Sequence, residues 1–320
     1  MTHLDTTTDT DTDSGTAVTG ADTRTAATAA PVPPQSDIRR VGIVGSGIMG
    51  SGIAELCARA GLDVRVRVSS SASLADGPRR LSRSLDRGVA KGRLTAEERD
   101  AALARVSFTR DLGEFADRQL VIESVKEDEQ LKRELFATLD KTVTDPDAIL
   151  ASNTSSLPIA RLAAATGRPS QVIGMHFFNP APVLPLVEIV DAVLTEPRVS
   201  ERALVFTRDV LGKKPITSPD RAGFVVNALL FPYLLSAVRM VESGRVTAEV
   251  VDAGMVDGCS HPMGPLRLAD LIGLDTTVSI AQAMYEEFKE PLYAPPPLLL
   301  RMVETGLLGK KSGRGFYTYG

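Results

Sequence analysis

Gly45-Ser46-Gly47-Ile48-Met49-Gly50 is a Gly-x-Gly-x-x-Gly loop. It stands between the apolar run Val41-Gly42-Ile43-Val44 and a segment of helical pattern, Ser51 to Ala60. The first glycine permits a tight turn, the second lets the backbone approach a pyrophosphate, and the third lets the helix pack closely on the strand. The phosphates then rest at the helix N-terminus. A second centre of chemistry is His176, which follows the apolar run Val172-Ile173-Gly174-Met175. Histidine is the side chain suited to act as a general base near neutral pH. Glu188 lies inside Leu186-Val187-Glu188-Ile189-Val190, where a carboxylate is costly unless paired. His176 is its expected partner, with the carboxylate holding one ring nitrogen and favouring the charged ring. A third polar stretch, Ser152-Asn153-Thr154-Ser155-Ser156, also follows a strand-like run. Its short side chains could hydrogen-bond a substrate carbonyl or hydroxyl, or simply form a turn or cap.

One part of the dinucleotide pattern is missing. An acid for the adenosine ribose is expected about 20 residues after the loop, at the end of the second strand. That stretch reads Arg67-Val68-Ser69-Ser70-Ser71. Asp63 lies at the strand's start and Asp76 in the next helix, so no carboxylate is expected there. The cofactor is read as NAD, with the ribose held by backbone and hydroxyls such as Ser69. NADP is the alternative, in which Arg67 and the serines receive a 2′-phosphate.

These residues need a scaffold, and the surrounding pattern predicts one. Val64, Val66 and Val68 alternate with Arg65 and Arg67 as in a strand. Strand, glycine loop, helix and strand make one dinucleotide-binding half. Helices are expected from about Leu74 to Val89, from Thr95 behind a capping box, and from Glu129 to Leu139. Further strands are expected at Leu120 to Glu123, Ile149 to Ala151, Val172 to Met175 and Leu186 to Val190. His176 and the Ser152–Ser156 stretch thus fall at carboxyl ends of strands, where an open α/β sheet has its ligand crevice. Beyond Asp220 almost everything reads helical. Three regions are expected: a leader over 1–37, a Rossmann-type, doubly wound, mostly parallel sheet over 38–218, and an all-helical C-terminal domain over 219–320.

The chain has 320 residues and a formal charge of −4. Residues 1–37 hold six aspartates and one arginine, a net of −5, so the remaining 283 residues carry −4 − (−5) = +1. The leader is Thr/Asp/Ala-rich, lacks an apolar pattern and is read as disordered. It has neither the basic start nor the apolar stretch of a signal peptide. Gly223 to Val241 is apolar but interrupted by Asn227, Pro232 and Arg239, which suits a buried helix and not a membrane span. Two cysteines, Cys57 and Cys259, are too few for a disulfide framework, which points to a cytoplasmic location. Neither zinc spacing nor a charge balance suited to nucleic acid is present.

Taken together, the stretches GSGIMGSGIA (45–54), ASNTSSL (151–157), VIGMHFFNPAPV (172–183), GFVVN (223–227), HPMGPL (261–266), LIGLD (271–275) and GKKSGRGFY (309–317) closely resemble the 3-hydroxyacyl-CoA dehydrogenases, especially the short 3-hydroxybutyryl-CoA type. The resemblance covers residue 38 to the end. It implies reversible hydride transfer between a nicotinamide and C3 of a short 3-hydroxyacyl thioester, giving the S-alcohol, in a dimer joined through the helical domain. His176 would take the hydroxyl proton with Glu188 as its partner, while Ser155 and Asn227 would position substrate oxygens. Gly45 to Gly50, Ser69, Glu127, Lys132, Asn153, Ser155, Asn179 and Lys311 would contact the cofactor. Ser84 and Lys91 would contact coenzyme A. Arg79, Arg83, Arg87 and Lys91 recur every four residues, forming one basic helix face that suits a solvated surface or anionic phosphates. A carrier-protein-bound hydroxyacyl group, as in polyketide extender-unit supply, is the alternative substrate. Val68 departs from the family's ribose Asp, Ala222 from its Pro before GFVVN, and Pro185 from a common Lys.

Overall fold

A computed structural model of the protein describes residues 36–320. The disorder expected of the leader falls outside the described residues except at its last two, and Asp37 is ion-paired with Arg202 at 2.8 Å. Eight strands form one sheet: β1 (Arg40–Val44), β2 (Asp63–Arg67), β3 (Val106–Thr109), β4 (Leu120–Glu123), β5 (Ile149–Ser152), β6 (Val172–Phe177), β7 (Leu186–Asp191) and β8 (Lys214–Pro219). Their spatial order is β3-β2-β1-β4-β5-β6-β7-β8. The first six are parallel, in the order of a dinucleotide-binding sheet. β7 runs antiparallel to β6, and β8 parallel to β7.

Between the strands lie α1 (Ile48–Arg59), α2 (Ser71–Ala90), α3 (Ala96–Ala104), α4 (Glu129–Thr142), α5 (Ile159–Ala163) and α6 (Pro197–Val205). After β8 come α7 (Val226–Glu242), α8 (Ala248–Cys259), α9 (Pro265–Ile272), α10 (Leu274–Phe288) and α11 (Pro297–Glu304). The fold is therefore a doubly wound, mostly parallel sheet followed by helices.

Successive side chains of a strand point to opposite faces, and the central strands carry unbroken apolar runs with polar residues only toward their ends, so both faces bury. Ile43, Ile122 and Ile149 pack against Ile53 of α1 and Leu85 of α2 on one face. Val44, Val121 and Leu150 pack against Phe136 of α4 and Leu162 of α5 on the other. A third core joins the later helices, with Phe231, Leu235, Leu266, Leu274, Ala281 and Leu299 at its centre. Among the described residues no helix is long and apolar enough to cross a membrane.

The sequence pattern finds the central strands and misses the two edges. Of β3 only Thr109 is buried, and β8 carries two prolines, Pro215 and Pro219. Both features belong to edge strands, which need fewer ladder hydrogen bonds and less apolar surface. At the second strand the pattern overshoots by one residue. β2 ends at Arg67, while Val68 is buried and donates its N–H to the Thr109 carbonyl at 2.9 Å. α2 starts three residues earlier than the apolar pattern shows, because Ser70 caps it by accepting from the Ser73 N–H at 3.1 Å. Ser70 is therefore engaged at a helix end. The capping box at Thr95 and Glu98 is present in both directions.

Candidate active site

The glycine loop forms one wall of a cavity of about 700 Å³. Gly45 holds φ +111°, a left-handed conformation that favours glycine, and any Cβ there would collide with the Ser124 carbonyl. A Cβ at Gly50 would collide with the Gly45 carbonyl, so this position lets α1 close onto the turn. Gly47 is different, because a Cβ there would have nothing within 4 Å. The protein's own packing does not require glycine at Gly47. A diphosphate lying on the bare N-terminus of α1 does, since α1 has no acidic first turn and no side-chain cap. The cradle fits a dinucleotide.

Ser46, Ile48, Met49, Ser69, Glu127, Lys132, Asn153 and Ser155 line the same cavity with Gly45 and Gly47. Gly50 is buried behind the loop. Arg67, which the NADP alternative marks, also lines it, together with Ser73, Asp76 and Arg80, which the sequence does not mark as contacts. The expectation of no carboxylate at the ribose end is corrected by Asp76. It belongs to α2, as read, but the helix starts early enough to bring its second turn to the cavity wall. Hydrogen bonding from Arg79, and then that residue's charge, hold the Asp76 carboxyl below the ordinary carboxylate range.

Glu127 and Lys132 belong to a buried polar network. Lys132 Nζ lies 3.0 Å from Glu123 and 2.8 Å from Glu127. Glu123, fully buried at the end of β4, also accepts from the Ser152 hydroxyl at 2.6 Å and from the Val125 N–H at 2.6 Å. Glu127 accepts from the hydroxyls of Thr154 and Ser156 and from the Ser155 N–H. Burial pushes the Glu127 carboxyl up, but the Lys132 charge and these hydrogen bonds outweigh it and leave it below its ordinary value. The network fixes the loop after β5 against the loop after β4, so Ser155 and Asn153 face the cavity from a rigid frame. Glu123 was missed as its hub, although a lone acid closing the apolar run Leu120-Val121-Ile122 is a readable signal.

His176 and Glu188 are directly opposite in the antiparallel β6–β7 pair. His176 Nδ1 lies 2.7 Å from Glu188 Oε2. The reversal of β7 achieves this, by bringing a buried acid from the next strand across from the strand-end histidine. Glu188 is fully buried, and its Oε1 accepts from the N–H groups of Val225 at 3.0 Å and Val226 at 2.9 Å. Those donors open α7, whose N-terminal end favours a negative charge. The rings of Phe178 and Phe224 flank the imidazole with centroids at 4.5 and 5.6 Å. Phe224 holds φ +49°, a strained conformation for a bulky residue. These flanking groups carry no polar signal and were not anticipated. The link between base and cavity is Asn153, whose Oδ1 accepts from the N–H of Phe177, the residue after His176, at 2.8 Å.

Other expected residues sit apart from the cavity lining. Asn227 is buried in the first turn of α7, just past the Glu188 donors. Asn179 is exposed in the turn between β6 and β7. Lys311 is ion-paired with Asp275 at the start of α10. Ser84 is half-buried on α2, and Lys91 is exposed at its C-cap.

Residues 40–221 match the family model for the NAD binding domain of 3-hydroxyacyl-CoA dehydrogenase, and residues 223–319 match the model for its C-terminal domain. A 3-hydroxybutyryl-CoA dehydrogenase of Mycobacterium tuberculosis is 61% identical over 282 residues, covering 88% of this chain and 99% of that protein. The crystal structure of M. tuberculosis FadB2 is similar with a TM-score of 0.87 at 61% identity, over 88% of this chain and 99% of the other. That of (S)-3-hydroxybutyryl-CoA dehydrogenase PaaH1 from Ralstonia eutropha is similar with a TM-score of 0.84 at 42% identity, over 88% and 99%.

Proposed function

The chain belongs to the 3-hydroxyacyl-CoA dehydrogenase family, and from that premise we propose that it reversibly oxidises the C3 hydroxyl of a short-chain 3-hydroxyacyl-CoA. The observation that carries the reading is the His176–Glu188 pair, 2.7 Å apart and tied through Asn153 to a dinucleotide cradle. A bound nicotinamide dinucleotide supplies the hydride acceptor.

The remaining chemistry falls to the chain. An ionised carboxylate only accepts hydrogen bonds, so His176 Nδ1 carries the hydrogen toward Glu188 and Nε2 keeps its lone pair. Nε2 takes the proton of the 3-hydroxyl as hydride leaves C3. The ring then carries a positive charge, with the Glu188 carboxylate 2.7 Å from its other nitrogen. Glu188 cannot swing away, because Val225 and Val226 hold its second oxygen. In the reverse direction Nε2 returns the proton to the 3-oxo oxygen. Such proton transfer typically contributes about 10²–10⁴ in rate. Ser155 and Asn227 position the substrate oxygens, and Phe178 and Phe224 exclude water from the imidazole.

Ser84, Lys91 and the exposed arginines of α2, Arg83 and Arg87, dock the anionic carrier of the acyl group. Coenzyme A is that carrier in this reading, and an acyl carrier protein is the second candidate for the same basic face. The working unit is a homodimer joined through the later helices, which expose Leu229, Met240, Val250 and Leu271.

Turnover of acetoacetyl-CoA, followed as the loss of reduced-nicotinamide absorbance, tests the reading. Steady consumption is expected, faster with the coenzyme A thioester than with the carrier-protein thioester of the same acyl group. No consumption with any short 3-oxoacyl-CoA would overturn it.

A further inference from the structure

At the ribose end of the cavity the lining residues are Arg67, Ser69, Ser73, Asp76 and Arg80. We infer that this end is a subsite for a 2′-phosphate, so that the chain takes NADP(H). The inference rests on the dinucleotide half of the proposed function and not on its thioester half.

The position where an acid would receive a ribose 2′-hydroxyl is Val68, which is 1% exposed and packed into the core. Val68 itself does not line the cavity. The residue before it does. The Arg67 carbonyl accepts from the Gly45 N–H at 2.9 Å, which sets Arg67 beside the first glycine of the cradle. Arg67 Nε is buried with no hydrogen-bond partner. A buried donor left unpaired is unusual and costly, and a guanidinium beside a cavity is satisfied by an oxyanion.

Three further features converge on the same spot. Arg80 donates to the Ser46 carbonyl at 2.9 Å, so a second guanidinium is anchored to the glycine loop. α2 starts here, and its first turn contains no acidic residue. The end of a 20-residue helix, its Ser73 N–H taken up by the Ser70 cap, therefore keeps its other first-turn N–H groups without a neighbouring negative charge. Ser69 and Ser73 add hydroxyls. α2 packs tightly on the loop at this point, since a Cβ at Gly77 would meet the Phe108 ring and Ser46. Asp76 is the one carboxylate among these lining residues, and Arg79 holds it. Two guanidiniums, two hydroxyls and a helix N-terminus against one neutralised acid suit a dianion. A bare 2′-hydroxyl offers Arg67 Nε one neutral acceptor, whereas a 2′-phosphate offers charged oxygens to both guanidiniums. In dinucleotide folds generally, an arginine near this point receives the 2′-phosphate.

The test is calorimetric binding of adenosine 2′,5′-bisphosphate and of 5′-AMP to the purified chain. The bisphosphate is expected to bind at least about tenfold tighter. Arg67→Ala should abolish most of that preference, and Arg80→Ala should reduce it. Equal or tighter binding of 5′-AMP by the unmodified chain would overturn the inference, as would a preference that survives both substitutions. Loss of 5′-AMP binding in Asp76→Asn, without a bisphosphate preference in the parent, would identify Asp76 as the ribose partner and also overturn it. Neither probe carries a nicotinamide or a thioester. Failure of this binding pattern is therefore distinct from failure of thioester turnover.

Discussion

Removing the Glu188 carboxylate would strip an acceptor from three donors at once: the buried His176 ring and the half-buried N–H groups of Val225 and Val226. Each orphaned donor costs about 1–3 kcal/mol. Glu188→Ala should therefore lower both turnover and the thermal unfolding midpoint. Glu188→Gln keeps an acceptor for the backbone donors but loses the charge facing the imidazole. It should lose turnover with a smaller loss of stability, and calorimetric melting beside steady-state rates would separate the two effects. Glu127 gives a prediction in pH. Its carboxyl lies below its ordinary value of 4.5 in the folded protein. A lowered folded value means a stabilising contribution that is complete above the unfolded value and is lost as pH falls through the folded one. The stability gap between the parent and Glu127→Gln should thus be widest near neutrality and close progressively below pH 4.5. Urea unfolding across that range checks it, and a gap that widens on acidification would contradict the network.

At the scale of elements, two glycines of one loop make opposite predictions. Gly50→Ala pushes a methyl into the Gly45 carbonyl, and overpacking of this kind costs about 1–3 kcal/mol. Gly47→Ala meets nothing within 4 Å, so the fold should lose no more than a cap residue's worth, about 1 kcal/mol. Its loss should appear in dinucleotide affinity, measured by calorimetry. Equal affinity in Gly47→Ala would remove the diphosphate from that spot. What the sequence revealed follows the same physics. β1, β4, β5 and β6 are buried on both faces and show as unbroken apolar runs. β3 and β8 lie at the sheet's edges, where Ser107 and the prolines of β8 are tolerated and the apolar signal fades. The early start of α2 was hidden because Ser70 caps it through a side chain, and a run of serines reads equally well as loop.

Across the whole molecule, His176 and Glu188 were legible because a buried acid needs a partner. The third participant in their geometry, the start of α7, was not, since backbone N–H groups leave no trace in residue type. Asp76 was read into the right helix, but its place on the cavity wall was not legible for a related reason: its distance from the glycine loop is set by helix packing at Gly77 and not by spacing in the chain. Assembly gives a further prediction. With Leu229, Met240, Val250 and Leu271 exposed on the later helices, sedimentation should report twice the chain mass. Paired Leu229→Arg and Leu271→Arg substitutions should shift the particle toward the monomer, and an unchanged dimer would place the interface elsewhere. The central claim is that one imidazole moves the proton while the cradle separately holds the dinucleotide. Turnover of 3-hydroxybutyryl-CoA by His176→Ala, with dinucleotide binding measured on the same preparation, tests it most directly. Turnover should fall by about 10²–10⁴ with binding unchanged, whereas a variant that turns over at the parent rate would contradict it.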